Sequence, residues 1–110
     1  MINHKVKCAN FEIANNNPFT LIAGPCQLES EKHALDVSHE LKKITSELGI
    51  NLIYKTSFDK ANRTSLKGKR GIGLEKSLTI FDKIRKEVKV PVLTDVHTAE
   101  QCAVVANHVD

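Results

Sequence analysis

The feature that most constrains this chain is its alternation of short apolar runs with single amphipathic segments. Phe19-Thr20-Leu21-Ile22-Ala23 is rich in strand formers and ends at the turn signal Gly24-Pro25, so it reads as a strand. Ser30 is placed to cap a helix over 31–48, in which Ala34, Val37, Leu41, Ile44 and Leu48 recur at three- and four-residue spacing. Gly49 stands where a C-terminal helix glycine belongs. Ile50 to Ser57 reads as a second strand, and a second helix over 74–87 carries Leu74, Leu78, Phe81, Ile84 and Val88 on one face. Pro91 opens a third strand through His97, and Thr98 with Gln101 has the spacing of a capping box before a third helix.

Apolar strands separated by single helices imply a parallel sheet with right-handed crossovers, so the fold class is α/β. Ahead of the first unit, Phe11 and Ile13 share one parity, and Asn15-Asn16-Asn17-Pro18 breaks the pattern. Residues 1–18 therefore read as a short hairpin or arm. The last four residues fall where a fourth strand would begin. Three units cannot close a barrel, which takes eight strands and about 250 residues.

The 110 residues allow one domain, and 41% hydrophobic with 26% charged residues is ordinary for a globular protein. Three cysteines without a CxxC pair point to reduced thiols and a cytoplasmic setting. The N-terminal residues have no apolar core of a leader peptide, and no run reaches the ~18 residues of a membrane span. A net charge of +3 does not call for nucleic acid. Its distribution is uneven, however: Lys55, Lys60, Arg63, Lys67, Lys69 and Arg70 are opposed only by Asp59. An anion near that stretch meets a positive field. No aromatics interleave these cations as base-stacking platforms would require, and Gly71-Ile72-Gly73 makes neither a dinucleotide nor a P-loop fingerprint.

Polar residues stand at the carboxyl end of each strand: Cys26 after the first, Lys55 and Ser57 in the second, Asp95 and His97 in the third. Period-two alternation puts Lys55 with Ser57, and Asp95 with His97, on common faces. Parallel α/β folds bind ligands at that end. Each residue also has a plainer reading. Cys26 alone could be a small buried hydrophobe, Lys55 could be solvated, and Asp95 with His97 could be a loop-capping pair. The basic stretch could be a solvated loop, or a phosphate site in which Lys gives a point charge and Arg a planar fork.

Lys55-Thr56-Ser57-Phe58-Asp59-Lys60-Ala61-Asn62-Arg63-Thr64-Ser65 resembles a motif of the 3-deoxy-D-manno-octulosonate 8-phosphate synthase (2-dehydro-3-deoxyphosphooctonate aldolase) family. Thr20 to Ser30, Arg70 to Glu75, and Leu93 to His97 resemble three further segments of it. The sister family that makes the aromatic precursor DAHP carries Lys-Pro-Arg-Thr in place of the stretch with Asn62 before Arg63.

The resemblance implies a TIM barrel of which residues 1–110 are an N-terminal fragment, comprising three βα units after the hairpin or arm. It implies condensation of phosphoenolpyruvate with D-arabinose 5-phosphate, with release of phosphate, toward the lipopolysaccharide of Gram-negative bacteria. Lys55 and Lys60 would hold phosphoenolpyruvate, and Asn62 and Arg63 the sugar phosphate. Ser57 and Asp95 would line the pocket, with Lys60 and Asp95 as catalytic residues. Cys26 marks the metal-dependent type, with Zn, Fe or Mn expected and the remaining ligands beyond residue 110. The complete enzyme would be a homotetramer, and this chain alone would be inactive and hold no metal tightly. The competing readings are a stand-alone anion-binding module, a partner that completes a barrel with a second polypeptide, and a DAHP-synthase-like aldol enzyme.

Overall fold

The computed structural model describes residues 2–59 and 72–110. Its elements are β1 (Val6–Cys8), β2 (Phe11–Ile13), β3 (Thr20–Ala23), α1 (Glu31–Leu48), β4 (Asn51–Lys55), α2 (Leu74–Glu87), β5 (Val92–Leu93) and α3 (Ala99–Val105). Strands β1 and β2 form the expected antiparallel hairpin, joined at Ala9-Asn10. Strands β3, β4 and β5 form a parallel sheet with β4 in the centre. The class is α/β with a parallel sheet, and no barrel is closed among the described residues.

The two long helices begin and end where the sequence places them. Ser30 Oγ accepts a hydrogen bond from the His33 amide at 3.1 Å, which satisfies one free donor of the first turn of α1. Gly49, at φ 69°, ends α1 by returning its N–H to Ser46 and Thr45. Helix α2 ends at the same kind of left-handed residue, but there it is Lys89, at φ 61°.

Both helices cover one face of the sheet. Leu52 and Tyr54 of β4, Val92 of β5, and Phe81 and Ile84 of α2 are at most 4% exposed, and Leu21 and Ala23 of β3 pack on them. Paired residues of a parallel sheet point the same way and neighbours alternate. The register Ala23–Tyr54–Val92 therefore faces the helices. The other register, Ile22 opposite Ile53 and Lys55 opposite Leu93, faces away from them. Ile22 there is 54% and Leu93 39% exposed, while Ile53 in the central strand is 5% exposed.

Two expectations need correction. The third strand does not run to His97; its ladder stops at Leu93. The stripe of α1 is not buried throughout, because Ile44 and Leu48 are exposed while Ala34, Ser38 and Thr45 are buried. Ser38 and Thr45 enter the core because each hydroxyl donates back to a carbonyl of its own helix, Ser38 to Leu35 and Thr45 to Leu41. Asp110 closes the described fold beside β5: its N–H donates to the Val92 carbonyl at 2.8 Å, and its carboxylate accepts from the Val92 N–H at 3.0 Å. Arg85 of α2 holds that carboxylate at 3.1 Å.

Candidate functional site

The loops at the carboxyl ends of the three strands meet at that end of the sheet. The loop after β3 crosses closely over β4. A Cβ built on Gly24 would lie 1.9 Å from the Lys55 carbonyl oxygen, so only glycine permits this crossing. Beyond it, Gln27 bridges Ser57 in parallel fashion, and the Leu28 N–H donates to the Ser57 carbonyl at 2.8 Å. Gln27 and Ser57 are both buried as a result. From sequence Gly24 was read only as part of a turn signal, and Gln27 was not singled out. The signal for Gly24 was present in Gly-Pro directly after a strand, where close backbone approach is a recurring use of glycine.

Lys55, Ser57 and Asp95 come together as their positions at the strand ends indicate. Lys55 Nζ donates to Ser57 Oγ at 3.5 Å, and the Ser57 hydroxyl donates to the Asp95 carboxylate. The direction of the two bonds is fixed by chemistry, since an ammonium only donates and a carboxylate only accepts. Burial pushes the Asp95 carboxyl up. The Ser57 hydroxyl, its own backbone N–H, and the nearby Lys55 and His97 outweigh that and hold it below the usual carboxylate range. Asp95 Oδ1 is buried with no hydrogen-bond partner among the described residues. One acceptor atom of the carboxylate is thus left for another donor.

His97 does not join this group directly. Its Nε2 lies 2.7 Å from the Asp59 carbonyl, and its ring packs on Phe58 at 5.8 Å between centroids. The expectation that it shares a face with Asp95 as part of a strand fails, because residues 94–97 have left the sheet ladder. Lys60, Asn62 and Arg63 lie outside the described residues.

Cys26 is a free, exposed thiol just beyond β3. Sulfur at such a position is one soft donor suited to a divalent ion. Among the described residues no group of three His, Cys, Asp or Glu side chains is gathered to complete such a shell. Also among them, no helix is long and apolar enough to cross a membrane.

Comparison with known proteins places the chain among its relatives. The chain is 58% identical to the 2-dehydro-3-deoxyphosphooctonate aldolase of Brucella anthropi over 98% of its own length, and 57% identical to those of Mesorhizobium japonicum and Brucella ovis. It spans 39% of the length of each of these relatives. The match to the family described as DAHP synthetase I runs from residue 3 to residue 110 and so takes in every strand end described above. Matched over nearly its whole length, this chain, with its parallel sheet, belongs to the DAHP synthetase I family.

Proposed function

We propose that this chain carries part of the substrate site of an enzyme that condenses phosphoenolpyruvate with D-arabinose 5-phosphate. The products would be 3-deoxy-D-manno-octulosonate 8-phosphate, a lipopolysaccharide precursor, and inorganic phosphate. The observation that carries the reading is the Lys55–Ser57–Asp95 relay at the carboxyl end of the sheet, which the basic stretch follows in sequence. The names of the relatives support the same reaction. In this reading residues 1–110 are the N-terminal βα units of a TIM barrel. The face away from the helices is then the barrel interior.

In the reaction, C3 of phosphoenolpyruvate attacks the sugar aldehyde, water adds at C2, and phosphate leaves. Two polyanionic substrates must be held side by side, so fixed cations are the first requirement. Lys55 and Lys60 meet phosphoenolpyruvate, and Asn62 and Arg63 meet the sugar phosphate. Asp95 stays ionised near neutral pH because Ser57 and Lys55 favour its charged form. Such a carboxylate is a weak base, so its catalytic part is to orient a hydroxyl or water through the free Oδ1, with Lys60 countering developing negative charge. Cys26 would give one thiolate ligand to a divalent Zn, Fe or Mn ion, which would supply positive charge at the reacting centre. The working form would be a cytoplasmic homotetramer that needs neither nucleic acid nor membrane.

The test is complementation. The 110-residue chain is assayed for phosphate release by itself and again with the remaining part of the Brucella anthropi relative supplied as a second chain. No release is expected from the chain alone. Release from phosphoenolpyruvate plus arabinose 5-phosphate is expected from the pair, falling roughly 100-fold with Lys55→Met. Equal or better use of erythrose 4-phosphate would replace this reading with the DAHP-type reaction. Phosphate-ion binding by the chain alone, with no activity in the pair, would favour a stand-alone anion-binding module.

A further inference from the structure

We infer that His97 is a positioning residue, a latch that holds the chain at Asp59 where it leaves the sheet after β4. The argument begins with register. In the β4–β5 ladder, Tyr54 pairs with Val92 and Lys55 with Leu93, each separated by 38 residues. The ladder then ends, but the register continues through side chains. Thr94 Oγ1 donates to the Thr56 carbonyl at 2.7 Å, and His97 Nε2 meets the Asp59 carbonyl at 2.7 Å, both again 38 residues apart. Asp95 takes its hydrogen bond from Ser57, the pair between them. The side chains of Thr94 and His97 thus hold the backbone carbonyls of Thr56 and Asp59 after the strand itself has stopped.

His97 is the last of these contacts and is itself fixed. Its N–H donates to Gln101 Oε1 at 2.7 Å, and the same oxygen takes the Thr98 N–H at 3.3 Å at the start of α3. The tilt of 53° on Phe58, a residue 2% exposed, sets the ring plane. A carbonyl only accepts, so Nε2 must carry the proton. The bond therefore survives in both the neutral and the protonated imidazole. The latch does not depend on the reading under Proposed function.

The test is amide hydrogen exchange on the full chain, followed peptide by peptide, for wild type, His97→Phe and His97→Gln. His97→Phe keeps a ring against Phe58 but removes the donor, whereas His97→Gln keeps an N–H donor. Faster exchange across residues 56–59 by roughly tenfold is expected for His97→Phe, the equivalent of one lost hydrogen bond. His97→Gln is expected to restore most of it, with α1 and β4 unchanged in both. Unchanged exchange in His97→Phe overturns the inference. So does a loss of protection spread evenly over α1 and β4, or a failure of Gln to rescue.

Discussion

The two faces of the β3–β4–β5 sheet are made by the same strands and have opposite characters. Toward the helices, Leu52, Tyr54 and Val92 are sealed under Phe81 and Ile84. On the far side, Ile22 and Leu93 are open, and the polar relay of Lys55, Ser57 and Asp95 stands at the carboxyl end. One face is a finished core whose residues act through packing. The other is apolar at its base and chemically equipped at its rim, so its residues matter through what they meet. Alternation alone divides the labour: moving one residue along β4 exchanges a stability role for a site role.

The sharpest way to break this comparison is to cut each face equally. Phe81→Ala is expected to lower unfolding free energy by about 3–5 kcal/mol in a denaturant titration, the usual cost of deleting a buried ring. Ile22→Ala, on the open face, is expected to change it by less than about 0.5 kcal/mol. Similar losses at both would mean that the far face is covered in solution.

A smaller effect sharpens the rim. Ser57→Ala removes the link between Lys55 and Asp95 in a fully buried position, at an expected cost of about 1–2 kcal/mol. The pH dependence should change with it. Asp95 is held below its ordinary value in the folded state, so its contribution is present above the unfolded carboxylate range and is lost as pH falls through the folded value. Acid titration of the Asp95 carboxyl carbon by NMR should therefore move up in Ser57→Ala, and the loss of stability on acidification should become shallower.

The smallest expected effect is a gain on the packed side. Lys89 closes α2 in the conformation that Gly49 uses to close α1. Lys89→Gly is expected to raise stability by about 0.5 kcal/mol, the relief of left-handed strain less the entropy of an added glycine. Thermal melts of the two chains would read it.

Helices were more legible in the sequence than strand ends, and the reasons are local. Ser30 and Gly49 punctuate α1, and a run of apolar residues at helical spacing marks α2, so their limits needed no knowledge of the rest of the chain. The buried face of α1 was misread because its inner positions include Ser38 and Thr45. Their hydroxyls are satisfied within the helix, so a count of apolar residues passes over them. The end of β5 was misread because residues 94–97 keep a strand-like composition while their side chains replace the backbone ladder. Lys55, Ser57 and Asp95 were legible because strand ends in a parallel sheet converge whatever the loops do. The tight crossing at Gly24 and the bridge at Gln27 depend on a neighbouring strand, which no local pattern reveals.

The constant 38-residue offset between residues 56–59 and 94–97 also limits how such a chain can change length. Residues gained or lost between the two tetrads shift every pair by the same amount and leave each partner facing its own. A single residue gained or lost inside either tetrad puts Thr94 or His97 out of step with the carbonyl it serves. Length variation in homologous chains should therefore collect in the connecting segment and stay out of these two short runs.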